Sequence, residues 1–345
     1  MNRHLDGFEK NLRVLAGLKS SSIAAYVKKV EEFFFWYREN PAETGDIDVS
    51  DLDPAQVVSR KDVERFLHSC FYRGNSNATR LMKLTAIRKF SRYLKYEGII
   101  GADFTEDIPK PRTSITRVQK FTQGEILDMF RAIDVTKEKG LRDRVIFILA
   151  AFGGLRVGEI SHLRITDVVD NGKYIDIGIE SSMAKLGHGR TVWLWKAPSD
   201  HVREYLITRL GHSPKLTAPF IVSYKHRRPS PRPMSGSDLD GLVKRYAKTA
   251  GIRRSRVNFH MFRATHANDL RSVEGFDAPA IAARLGHANI STTDRYLPDR
   301  GRIHRTFKSL SAYWADYTNI WRLENADTGS AGAHDHGGAE NDEKG

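Results

Sequence analysis

Ile23, Val27, Val30 and Phe34 fall at spacings of four, three and four, the period of an α-helix with one apolar face. Ser20, Ser21 and Ser22 offer hydroxyl caps at its start, and Pro41 and Gly45 close it. A second helix is expected over 61–71, broken by Gly74-Asn75, and a third over 77–96, stopped by Gly98. In the third, Leu84, Ile87, Phe90 and Leu94 point inward, with Arg80, Lys83, Arg88, Lys89, Arg92 and Lys95 around them. The first hundred residues therefore read as all-helical and strongly basic, with nothing resembling a catalytic cluster.

Pro109, Pro111 and the basic stretch up to Lys120 form a stiff connector without helical or strand period. Beyond it, Thr122 and Glu125 have the spacing of a capping box, so a second domain begins there. Val145, Leu149 and Phe152 predict its core helix, ended by Gly153-Gly154. Ile175, Ile177 and Ile179 alternate, and 190–195 is strand-like, which predicts a β-hairpin with 185–189 at its exposed tip. Helices resume near Ser237. Ile303, Phe307, Leu310, Trp314, Tyr317 and Trp321 then form a long apolar seam. That seam covers either its own domain or a neighbouring subunit. The expected division is 1–108 helical, 109–120 linker, 121–325 second domain and 326–345 acidic disordered tail. The expected class is mainly α with a small β-sheet or hairpin (α+β) in the second domain.

Charge narrows the partner. The chain of 345 residues carries a formal +13, and the acid-rich 324–345 leaves about +18 on the rest, which suits a polyanion such as nucleic acid. A single cysteine, Cys70, excludes an internal disulfide and a thiolate metal cage. The longest apolar run, 145–154, is far shorter than the roughly 20 residues of a membrane span. No secretory h-region follows Met1, so a cytoplasmic protein is expected.

Four short segments of the second domain gather the chemistry. In Gly154-Leu155-Arg156, an arginine follows a glycine break at the mouth of a helix, where free N–H groups and a guanidinium suit a phosphate oxygen. His260 and Arg263 lie three apart, on one helix face. Leu285-Gly286-His287 is a helix-ending turn that presents a histidine. Ser291 and Asp294 have capping-box spacing, which places Tyr296 in the opening turns of a further helix.

Taken in order, Arg156, Lys185, His260-x-x-Arg263, Leu285-Gly286-His287 and Tyr296 resemble the catalytic set of the tyrosine recombinase (phage integrase) family. The likeness spans roughly 20–300, and departs where Ala264 replaces a common histidine and Trp193 a common proline. It implies an all-α, core-binding (SAM-like) first domain and a recombinase catalytic domain. It also implies site-specific cleavage and rejoining of double-stranded DNA by a homotetramer, through exchanges between two recombination sites. Accessory DNA-bending or directionality proteins belong with such a system, and the 303–321 helix is a candidate subunit contact.

Phosphodiester chemistry fits those residue types. Attack builds negative charge, which Arg156 and Arg263 would neutralise bidentately without a metal. Tyr296, with a phenol's reference pKa of about 10, needs a base and positive potential to attack. His260 would take its proton, Lys185 would protonate the leaving 5′-oxygen, and His287 would bond a non-bridging oxygen. Glu159 would orient Arg156 or His260. The 3′-phosphotyrosyl link stores the broken bond's energy, so no ATP, metal or other cofactor is expected. Phosphate contacts are assigned to Arg80, Lys83, Arg88, Lys89 and Arg92, and to Lys225, Arg227 and Arg228. Either group also reads as a solvated face. Rival readings are a type IB topoisomerase-like relaxase, a catalytically silent DNA-binding regulator, and a metal nuclease built on His260, His266 and His287.

Overall fold

The computed structural model describes residues 2–40, 53, 57–113, 118–172, 174–180, 189–194, 196–212, 215–225, 228–272 and 276–286. Lys185, Arg227, His287, Tyr296, the 303–321 seam and the 326–345 tail lie outside the described residues. The chain divides into two compact units, Met1–Ile115 and Thr116–Gly345.

The described regular elements of the first unit are all helices: α1 (Asn2–Val14), α2 (Ser20–Glu39), α3 (Arg60–Tyr72) and α4 (Asn77–Tyr96). Leu5, Phe8 and Leu12 give α1 a buried face that packs on α2 and α4, a helix the sequence reading passed over. The serines do not cap α2. Lys19 holds the N-cap position without a side-chain bond, and the three hydroxyls fall within the first turn. In α4, Ser76 accepts from the Thr79 N–H, and Gly98 reverses the chain at φ +70, a conformation favouring glycine. Phe90 sits at the centre of the core, with its ring edge-to-face with Phe8 and Phe34. Lys83 departs from expectation. It lies four, seven and eleven residues before Ile87, Phe90 and Leu94, on the buried stripe. Its ammonium therefore turns inward to Glu32 at 2.5 Å and over the Phe66 ring.

The second unit is built around a helix buried on almost every side. It opens with α5 (Gln123–Arg131), where Thr122 and Glu125 form the expected capping box, and continues with α6 (Glu138–Ala151). Residues Val145 to Phe152 are all buried, so neighbours must cover α6 all round. Those neighbours include α7 (Val157–His162), α8 (Lys196–His212) and α10 (His260–Ser272). Helices α9 (Gly236–Thr249) and α11 (Ala278–Leu285) complete the described helices of the unit.

Strands β1 (Val168–Asp170), β2 (Ile175–Ile179) and β3 (Arg190–Leu194) form an antiparallel sheet in that order. Ile175, Ile177 and Ile179 face the core, opposite Leu194, Val192 and Arg190. The period of two thus puts Arg190 on the inward face of β3 and Trp193 on the outward one. Proline-rich 228–233 pairs with 222–225 as a two-stranded ribbon, β4 (Val222–Lys225) and β5 (Arg228–Pro233). Prolines are tolerated there because each strand of a two-stranded ribbon is an edge.

Ser199 ties the sheet to α8. Its buried hydroxyl accepts from the Ile175 N–H at 2.9 Å and donates to the Leu194 carbonyl at 2.8 Å. Replacing Ser199 with Ala strands both backbone groups. Urea unfolding should show a loss of about 1–3 kcal/mol.

Candidate active site

Gly154 is the first requirement. It ends the α6 region at φ +62, and a Cβ there would lie 2.5 Å from His266 and 2.9 Å from the Leu285 side chain. Only glycine both turns the chain and lets these side chains close over it. Two residues later Arg156 caps α7, and its N–H donates to Glu159 Oε2 at 2.8 Å. The Arg156 guanidinium donates to Glu159 Oε1 at 2.6 Å and to the Gly286 carbonyl at 2.7 Å.

Arg263, on the first turns of α10, reaches the same place from another direction. Its side chain is 1% exposed, and its two terminal nitrogens donate to the carbonyls of Gly154 and Leu285. Arg190 comes from β3. Its Nε donates to the Arg284 carbonyl at 2.9 Å, and its Nη1 and Nη2 bind the two Glu159 oxygens at 2.9 Å each. The last carbonyls of a helix have no partner within it and lie at the negative end of its dipole. Here the consecutive carbonyls of Arg284, Leu285 and Gly286 are each held by a different arginine: Arg190, Arg263 and Arg156.

Gly286 ends α11 in the left-handed region at φ +65, and a Cβ on it would meet Arg190 Nη1 at 2.9 Å. Arg284 lies over the exposed Trp193 ring, 4.8 Å from its centroid, and donates to the Trp193 carbonyl at 3.3 Å. Burial pushes the Glu159 carboxyl up. The bonds and charge of Arg190, the Arg156 N–H and the Arg156 charge outweigh it and bring the group down to about 2. Burial and the charges of Arg284 and Arg263 hold the His266 imidazole well below its usual range. His266 is 1% exposed and packs against Gly154, inside the core of the unit. Among the described residues, no group of three or more His, Cys, Asp or Glu is placed to hold a metal ion.

The structure thus brings together three residues the sequence singled out, Arg156, Glu159 and Arg263. His260 is the exposed first residue of α10, one turn before Arg263 on the same helix. His287 follows Gly286 directly in the chain, and Lys185 precedes Arg190 by five residues; both, like Tyr296, lie outside the described residues. Arg190 is the residue sequence reasoning missed. Its signal was parity, since an arginine two and four residues before the apolar Val192 and Leu194 must face inward and find a partner.

The cluster gathers the guanidinium groups of Arg156, Arg190, Arg263 and Arg284 around one carboxylate, Glu159, a balance suited to a phosphodiester. Elsewhere, Arg92 is exposed beside Asp103, Lys89 lies over the Tyr26 ring, and Arg80 bonds Asn77 and covers Phe71. Arg88 donates to the Ile108 carbonyl at 2.8 Å. The backbones of Lys225 and Arg228 belong to β4 and β5.

Residues 119–300 match the Phage integrase family. The chain is 27% identical over 305 residues to the tyrosine recombinase XerC of Bacillus subtilis, covering 84% of this chain and 89% of that relative. It is 31% identical over 233 residues to the tyrosine recombinase XerA of Thermococcus kodakarensis, covering 67% and 74%. Its fold is similar to that of lambda integrase, crystallised as a tetramer bound to a Holliday junction. The TM-score is 0.64 at 20% identity, with 89% of this chain and 80% of that one covered.

The depressed Glu159 carboxyl makes a measurable pH dependence. A carboxyl whose folded pKa lies below its unfolded value adds stability above the unfolded value, lost as pH falls through the folded one. Between pH 4.5 and about 2, Glu159 should withdraw on the order of 3 kcal/mol. Urea unfolding followed over that window should show a shallower pH dependence in Glu159→Gln than in the parent.

Proposed function

This chain belongs to the phage integrase family of tyrosine recombinases and is a site-specific DNA strand transferase, and from that premise we propose which residues carry the reaction. Tyr296 is the nucleophile. Its Oη attacks the scissile phosphorus while His260 takes the phenolic proton. The bond from phosphorus to the 5′-oxygen breaks, and Lys185 supplies the proton that the leaving oxygen requires. The products are a 3′-phosphotyrosyl link and a free 5′-hydroxyl. Attack of another strand's 5′-hydroxyl on that link reverses each step and rejoins the DNA.

Arg156 and Arg263 clamp the phosphate, and His287 bonds one of its non-bridging oxygens. The observation that carries this assignment is the convergence of Arg156 and Arg263 on adjacent carbonyls, those of Gly286 and Leu285, immediately before His287. Those bonds hold both side chains in place before the substrate arrives, which limits the reorganisation required as charge builds at phosphorus. Glu159 holds Arg156 from behind through both its N–H and its guanidinium.

The first unit, as a core-binding domain, supplies phosphate contacts through Arg80, Arg88, Lys89 and Arg92. Lys83 is left out because its ammonium is buried against Glu32. The ribbon with Lys225, Arg227 and Arg228 adds a second group. Four protomers assemble on two DNA sites, with 303–321 as the subunit contact, in the cytoplasm, and the two sites belong to a mobile genetic element. The lambda integrase tetramer on a Holliday junction supports that stoichiometry by analogy of fold.

The decisive test is covalent capture on fragmented genomic DNA in excess EDTA. The parent should leave a protein–DNA adduct, and Tyr296→Phe should leave none while binding DNA within about three-fold. Loss of the adduct on chelation would favour metal chemistry instead. In binding titrations the logarithm of affinity should fall linearly with that of salt. Arg92→Ala, at a side chain 70% exposed, should reduce that slope by about one.

A further inference from the structure

Arg190 supplies none of the reacting groups assigned above, yet it joins Glu159 to the end of α11. All three of its guanidinium nitrogens are used: Nε on the Arg284 carbonyl, Nη1 and Nη2 on the two oxygens of Glu159. Glu159 spends its remaining capacity on Arg156. The contact with α11 is reciprocal. Arg190 reaches from β3 to the Arg284 carbonyl, and Arg284 reaches back to the Trp193 carbonyl and covers the Trp193 ring. With its side chain 9% exposed, Arg190 is turned into the protein rather than to solvent.

We propose that Arg190 is a positioning residue for strand transfer, locking the strand that leaves the Lys185 hairpin to the Arg156 guanidinium, through Glu159, and to the helix end that leads into His287. The inference rests on the reaction assigned to Tyr296 and extends it to a residue that touches no reacting atom. Only arginine fits the place. Its planar fork matches both carboxylate oxygens while a third nitrogen reaches the carbonyl, and a lysine ammonium offers neither the fork nor the span. Gly286 adds an independent requirement, because a Cβ there would come 2.9 Å from Arg190 Nη1. The glycine is thus fitted to Arg190 as well as to its own left-handed turn.

The test uses the full chain and a nicked duplex carrying the sequence recovered with the parent's trapped adduct. In single-turnover cleavage, Arg190→Gln and Arg190→Lys should slow adduct formation about 10- to 100-fold, with DNA dissociation constants within about three-fold of the parent. A structural role alone would lower binding and rate together. Glu159→Gln combined with Arg190→Gln should be no slower than the slower single variant, since both act on Arg156 through one contact. Should Arg190→Gln fail to fold, Arg190→Lys, which keeps a cation beside Glu159, carries the comparison. A cleavage rate within two-fold of the parent, an equal loss of rate and binding, or additive effects in the double variant would each overturn the proposal. A parent that forms no adduct would sink the Tyr296 assignment and this inference with it. That outcome is distinct from a parent that reacts and an Arg190 variant that reacts equally well.

Discussion

Three carbonyl oxygens in a row at the end of α11, each taken by an arginine from a different element, organise the second unit. A buried helix end must find donors for its last carbonyls. Water or a following turn would serve, but neither would bind α11 to the rest of the unit. Guanidinium groups do, because each carries several donors in one plane. Arg156 draws in the mouth of α7, Arg263 the start of α10, and Arg190 the inward face of β3. The chain leaving Gly286 toward His287 therefore starts from a point fixed by three separate segments.

The arrangement is electrostatically expensive, and that expense is informative. Buried charges contribute little net stability unless well paired, and here cations outnumber the single Glu159 carboxylate that joins Arg156 to Arg190. The helix-end carbonyls offset part of the excess through their dipoles. A phosphodiester, the proposed occupant, would bring the negative charge that the cluster lacks, and the transition state for attack on phosphorus would bring more. A core selected for stability alone would be apolar at this position. That excess of guanidinium groups supports the proposed reaction on an anion.

Much of this was legible in the sequence, for reasons specific to each element. Helix α4 was legible to its ends because Gly74-Asn75 before it and Gly98 after it break the helical period. Arg156 and Glu159 were legible as a pair because a helix N-terminus brings positions three apart together. Lys83 misled because its residue type was weighed above its position: a lysine on the apolar stripe goes inward with a buried partner. Helix α1 was overlooked for want of recognisable caps, although Leu5, Phe8 and Leu12 have its period. Strand β5 was hidden by its prolines, which mark an edge as readily as a loop. Arg190 required knowledge of which strand face is buried. The clasp around α11 could not be read at all, because it is made of backbone carbonyls, which every sequence possesses.

The account stands on one covalent bond, between the Tyr296 phenolic oxygen and a cut DNA strand. Its most direct measurement is mass spectrometry of the peptide that remains on DNA after a trapped adduct is digested with protease and nuclease. The predicted product is the peptide containing Tyr296, heavier by a nucleotide phosphate attached through the phenol. A nucleotide on any other side chain, or none on any peptide, would contradict it.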